Sequence, residues 1–538
     1  MRRFFLFVSI AILSVASACP QGTVSIRVDA ASKVAPLKPA WNFFGYDEPN
    51  YTYTENGRKL INEIVASSAS PANFRTHHLL TTGDGVPALK WGSTNVYTED
   101  ASGKPIYDWT LTDRILDTYV RAGAKPFVEI GFMPKALSTK PDPYVPVWQP
   151  GSKFDQYYVG WTYPPTDYSK WGELVFQWVR HCVAKYGASE VATWHWEVWN
   201  EPDIAYWHGT PEEYDRLYDV SAAAVKRALP AAHVGGPAST GPANPKAAAF
   251  LKQFLQHCAS AGTPLDFISF HAKGSPTVVQ STVRMSLSHE LNDVSSGFDI
   301  VRSFPNFQHL PIVLSEADPE GCAACSARVY PQNAYRNGTL YPAYTAAALK
   351  AIMQLARVAD VNLEGILTWA FEFENQPYFD GFRSLATNGV DKPVLNVFRM
   401  AGLLRGHLIR LESSGAPQVD ALAAGSGNNL SLLVWNYQDD DVPGPAATVD
   451  ITVNGLPTNA GHILVRHYRI DKTHSNAYTA WKALGSPQNL SADQYKTLEE
   501  AGQLELLESP HFTAAENGSS HIGFSLPLQA VSLIELSW

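Results

Sequence analysis

From about residue 41 to about residue 402, short apolar runs rich in β-formers alternate with longer stretches whose apolar positions recur with a period near 3.6. The short runs are Trp41–Gly45, Asn73–His77, Pro126–Gly131, Trp194–Trp199, His233–Gly236, Asp266–His271, Pro311–Glu316 and Gly365–Phe371. Between them lie helical patterns such as Asp113–Ala122, Tyr168–Tyr186, Tyr214–Leu229, Pro245–Ala259 and Tyr341–Val358. Parallel strands joined by crossover helices follow from that alternation, and eight such units predict a closed (β/α)8 TIM barrel over residues 41–402.

After Gly406 the period changes. Ser431–Tyr437, Thr448–Val453, Ile463–Ile470 and Val531–Leu536 alternate as strands between Gly, Pro, Asn and Asp turns, without long helical patterns. Residues 406–538 therefore read as a C-terminal antiparallel β-sandwich. The segment Gly22–Asp29 also alternates and precedes the barrel, so residues 22–40 are expected to add a strand to that sandwich.

The first residues form a different signal. Met1-Arg2-Arg3, an apolar run from Phe4 to Val15 and Ala16-Ser17-Ala18 read as a signal peptide over residues 1–18, which predicts a secreted or periplasmic protein. No stretch approaches the roughly 20 apolar residues of a membrane span. Cys19, directly after the small residues, is a candidate lipid anchor, although Ala16 stands where Leu would be usual.

Composition narrows the partners. Of 538 residues 45% are apolar, which is globular, and the net charge of −10 gives no footprint for nucleic acid. The 12% of aromatic residues would suit sugar faces as well as ordinary cores. Among five cysteines, Cys322 and Cys325 have the spacing of a local disulfide, while a zinc site would need a second ligand pair that the sequence lacks. No glycine-rich phosphate loop or metal-spaced His/Cys cluster calls for a cofactor.

Active sites of such barrels are built by the loops that follow the strands. The fourth strand ends Trp199-Asn200-Glu201-Pro202, and the seventh ends Leu314-Ser315-Glu316-Ala317-Asp318. Two carboxylates facing each other at roughly 5 Å can cut a glycosidic bond with retention, one protonating the leaving oxygen while the other attacks the anomeric carbon. Asp318 and Glu320 compete with Glu316 for the second role, but Glu316 directly follows the apolar run and is nearest the strand end.

These residues carry a resemblance. Ala124–Pro134, Glu197-Val198-Trp199-Asn200-Glu201-Pro202 and Val234-Gly235-Gly236-Pro237-Ala238 together resemble glycoside hydrolase family 39, the family of β-xylosidases and α-L-iduronidases. The resemblance implies a retaining glycosidase with Glu201 as acid/base and Glu316 as nucleophile. Its finer motifs split. Gly131-Phe132-Met133-Pro134 and Phe74-Arg75-Thr76-His77 are similar to the xylosidases, whereas His271-Ala272-Lys273-Gly274 and Glu316-Ala317-Asp318-Pro319 are similar to the iduronidases. In the latter the Lys matching Lys273 helps hold a sugar carboxylate; the alternative is that Lys273 pairs with Glu316 or a neighbouring acid and tunes its charge.

Further candidates for the substrate are Asn200, whose amide can bond a sugar 2-hydroxyl, His77 and His271 at strand ends, and Trp369 as a ring face. Glu372, Glu374 and Arg383 follow the eighth strand, and the sequence does not choose which of them closes the sugar pocket; Glu374 is carried forward as the candidate. The expected activity is β-xylosidase, with an iduronidase-like or arabinosidase-like glycosidase as the alternative. A catalytically inactive carbohydrate-binding protein is the alternative of another class.

Overall fold

The computed structural model describes residues 23–459 and 461–538, so the signal-peptide and Cys19 expectations fall on residues outside the described part. Eight parallel strands close a barrel: Phe43–Tyr46, Asn73–Thr76, Lys125–Ile130, His195–Val198, His233–Ser239, Phe267–Lys273, Ile312–Asp318 and Leu363–Trp369. Each coincides with one of the eight apolar runs. The helices that follow them in turn are Glu55–Ser67, Thr110–Ala122, Tyr168–Tyr186, Pro211–Ala228, Pro245–Ala261, Leu287–Arg302, Leu340–Ala359 and Pro393–Gly402.

Local sequence accounts for these elements. The helix Pro211–Ala228 opens with a capping box, Thr210 accepting from the Glu213 N–H while the Glu213 carboxylate accepts from the Thr210 N–H, and Pro211 fits the first turn. It buries Tyr214, Leu217, Tyr218, Ala222 and Val225, one stripe at helical spacing. The barrel strands are buried on both faces, which is why they read as continuous apolar runs.

The register of the sixth and seventh strands sets up the site. Leu314 pairs with Phe270, but the next pair is Glu316 with His271, so the seventh strand carries one extra residue, Ser315. That bulge changes the pairing by one, and Glu316 and Asp318 come level with His271 and Lys273. Both pairs are two residues apart on their own strands, so all four side chains lie on one face.

The sandwich is a single hydrogen-bonded sheet of ten strands that curls over its own core. Val24–Pro36 lies inside it, antiparallel to His407–Ser414 and parallel to Ala447–Asn454, so the sheet is antiparallel except at that pair. Alternation along Asn429–Asn436 joins the two halves. Leu430, Leu432 and Val434 enter the sandwich core, while Leu433 and Trp435 pack into the barrel's core. Among the described residues, the C-terminal half also contains two short helices, Ala477–Ala483 and Ala492–Ala501, which bury Trp481 and Leu498 against Phe379 and Val390 of the barrel. They are too short to show helical periodicity above the surrounding turns. Among the described residues, no helix is long and apolar enough to cross a membrane. Cys322 and Cys325 are disulfide-bonded, and Cys182 and Cys258 are buried and free.

Candidate active site

At the mouth of the barrel, carboxylate oxygens of Glu201 and Glu316 and a ring nitrogen of His271 lie within 4.8 Å of one another. His271 Nδ1 is 2.8 Å from Glu201 Oε1, and its Nε2 is 3.8 Å from Glu316 Oε1. Glu201 is carried by a tight turn in which Trp199 and Glu201 both have positive φ, 72° and 43°. Such backbone costs free energy in non-glycine residues and is held here by hydrogen bonds from Glu201 N to Ala238 O (2.9 Å) and from Trp199 Nε1 to Tyr206 O (2.9 Å).

Glu316 is surrounded by positive groups. Lys273 Nζ is 2.7 Å from its Oε2, Arg75 Nη1 3.3 Å from its Oε1, and His77 Nε2 3.6 Å from the same oxygen. Burial alone would raise this carboxyl, but His271, Lys273, His77 and Arg75 outweigh it and hold Glu316 well below the usual carboxylate range. Asp318 is not available for the same chemistry: it holds Lys273 Nζ at 2.6 Å and accepts from Trp369 N at 2.8 Å. Glu320 is likewise tied to Arg336 and Arg383.

Arg75 is the hub beneath the pair. Its guanidinium reaches Glu197 (2.5 Å), Glu129 (3.0 Å) and the side-chain oxygen of Asn200 (2.9 Å). Glu129 and Glu197 are partners across the third and fourth strands, which is how two wholly buried carboxylates reach one guanidinium. Burial pushes Glu129 up, to about 7 after the opposing effect of His77 and Arg75. Burial pulls His77 down, but Glu129, Asp47 and Glu316 raise it to about 9.

The other expected site residues fall into four groups. Asn200 accepts from Arg75 through its side-chain oxygen and keeps a buried amide nitrogen without a partner. His77 and Lys273 serve neighbouring carboxylates instead of presenting free donors. Trp369 is only 3% exposed, its ring 4.2 Å from that of His77 and 5.1 Å from the Arg75 guanidinium, so little of the expected stacking face is open. Glu374 lies outside this network and lines a separate cleft.

Arg75, Glu129, Glu197 and Asp47 were not singled out from the sequence as site residues. The available signal was charge inside apolar strands, since a buried charge must be paired. Glu201, His271 and Glu316 have the spacing to hold a cation, yet Lys273, Arg75 and His77 crowd Glu316 with positive charge, which opposes one. The chemistry this arrangement can perform is acid-assisted displacement between two carboxylates.

A (β/α)8 barrel that presents such a pair from its fourth and seventh strands defines a glycoside hydrolase. The chain belongs to glycosyl hydrolases family 39, whose family model matches residues 24–515. It is similar to a β-xylosidase of Geobacillus stearothermophilus, 29% identical over 453 residues covering 81% of this chain and 82% of that protein. It is also similar to the α-L-iduronidase of Mus musculus, 24% identical over 540 residues covering 91% and 77%. In fold it matches a monomeric β-xylosidase from Caulobacter crescentus CB15 with TM-score 0.77, at 23% identity over 95% of this chain and 99% of that one.

Proposed function

We propose that the chain is an exported retaining β-xylosidase, with Glu201 as general acid/base and Glu316 as nucleophile. The observation that carries this reading is the approach of their carboxylate oxygens to within 4.8 Å, which leaves room for direct attack on an anomeric carbon but none for an intervening water. Glu316, held ionised by its cationic neighbours, attacks that carbon while Glu201 protonates the leaving oxygen. A covalent glycosyl-enzyme forms, and Glu201 then takes a proton from the water that hydrolyses it. The unpartnered Asn200 amide nitrogen is the donor suited to the sugar 2-hydroxyl.

A neutral sugar is favoured over a uronide because the Lys273 ammonium already faces two carboxylates, and a sugar carboxylate would have to share it. Similarity to β-xylosidases supports the same choice. Export rests on the basic, apolar and small-residue pattern of residues 1–18. The test is chemical rescue. Glu316→Ala should lose turnover, and azide should restore it on an activated aryl β-xyloside, giving a glycosyl azide of inverted configuration. Full activity in the unrescued variant would remove Glu316 from the role.

A further inference from the structure

A cavity of about 690 Å³ lies on the catalytic face of the barrel, apart from the Glu201–Glu316 network. Its position follows from the topology. It is walled by the loop that leaves the eighth strand after Trp369 and by the start of the first barrel helix, both of which emerge where the parallel strands end. Its third wall comes from the sandwich, through Gln488 and Tyr495 of the helical insertion.

The loop is braced from both sides. Asn388 accepts from Asn375 N at 3.0 Å and donates to Gln376 O at 2.8 Å. Gln488 accepts from Tyr378 N at 2.8 Å and donates to Tyr378 O at 3.3 Å, so the sandwich holds the barrel loop by its backbone. Those amides are therefore structural. What remains for a ligand is Asn56, the Gln376 amide, the half-buried rings of Tyr378 and Tyr495, and two carboxylates: exposed Glu55 at the rim and Glu374, whose Oε1 is buried without a partner. Among the described residues, no lysine or arginine lines the cavity; Lys59, behind Tyr495, is already held by Glu499 and by Gly389 O.

Planar amides, two carboxylate acceptors and phenol rings without a cation suit a neutral polyhydroxylated ligand, whose hydroxyls donate, and disfavour an anion. Gln376 also borders a second groove of about 350 Å³, whose exposed lining is Val145, Val147 and Gln149 over buried Trp91 and Trp148, so the cleft is continuous with a further surface depression. We propose that the cleft between Glu374, Tyr378 and Tyr495 is a distal subsite for an uncharged sugar residue of an oligosaccharide, to which the sandwich contributes directly. The proposal rests on the glycosidase reading and extends it from the cleaved residue to the chain carrying it.

The test uses the full chain with Glu316→Gln to prevent turnover, titrated calorimetrically with β-1,4-xylotetraose and with methyl β-xyloside. Adding Tyr495→Ala should weaken the tetraose about tenfold, and adding Gln376→Ala, which keeps the backbone carbonyl that Asn388 braces, should weaken it about threefold to tenfold. Affinity for the monosaccharide should not move. Unchanged tetraose affinity in Gln376→Ala and Tyr495→Ala, or no tetraose binding to the Glu316→Gln chain, overturns the subsite. Turnover of an aryl xyloside by the unmodified chain is a separate readout, and its failure would count against the proposed activity and not against the cleft.

Discussion

Lys273 Nζ lies 2.7 Å from Glu316 Oε2 and, through the register set by the Ser315 bulge, 2.6 Å from Asp318 as well. The ammonium therefore compensates the proposed nucleophile instead of waiting for a ligand. Lys273→Met should depress kcat/KM for a matched xyloside and uronide alike. It should also move the acidic limb of the pH–rate profile upward, because removing a neighbouring cation raises the Glu316 carboxyl. A selective loss on the uronide would instead make Lys273 a sugar-carboxylate ligand.

Glu201 is tested by leaving group. Glu201→Gln should lose roughly 10²–10⁴ in kcat/KM on xylobiose, whose leaving alcohol needs protonation. It should lose far less on a dinitrophenyl xyloside. Equal losses on the two substrates would contradict the acid role.

His77 gives a stability signature. Its folded value of about 9 exceeds the ordinary 6.5, so the stability it contributes is fully present below about pH 6.5 and lost as pH rises through 9. The stability difference between the wild type and His77→Asn, from urea unfolding, should shrink over that window by up to about 3 kcal/mol. A constant difference would mean that His77 is not held as a cation by Asp47 and Glu129.

The two halves should not separate. Leu433, Trp435, Val531 and Leu533 of the sandwich pack into the barrel core, and Lys350 of a barrel helix pairs with Asp420 at 2.5 Å. Truncation after residue 406 would expose that apolar face, and the expected product is insoluble. Removing Val24–Pro36 should be comparably damaging, since Val24, Ile26 and Val28 are buried inside the sheet. A soluble, active truncated barrel would contradict this account of the interface.

The barrel was legible in the sequence because parallel strands buried on both faces leave unbroken apolar runs, and because Glu201 and Glu316 stand at or just beyond the ends of two of them. The network around them was not legible. Arg75 meets partners 54, 122 and 241 residues away, at Glu129, Glu197 and Glu316, and nothing local signals which buried charges will converge. Trp369 shows the complementary limit: an aromatic at a strand end announces a position, but whether its ring is open depends on His77 and Arg75 from another strand. The helices Ala477–Ala483 and Ala492–Ala501 leave little periodic signal because each buries few residues, against a barrel loop about a hundred residues away in sequence.

The central claim is that Glu316 becomes covalently glycosylated. The most direct measurement is mass spectrometry of peptides from the wild-type chain inactivated with 2-deoxy-2-fluoro-xylosyl fluoride, in which the fluorine slows release of the intermediate more than its formation. The account predicts one sugar per chain, located at Glu316. A label on Asp318 or Glu320, or hydrolysis that proceeds without any covalent adduct, would contradict it.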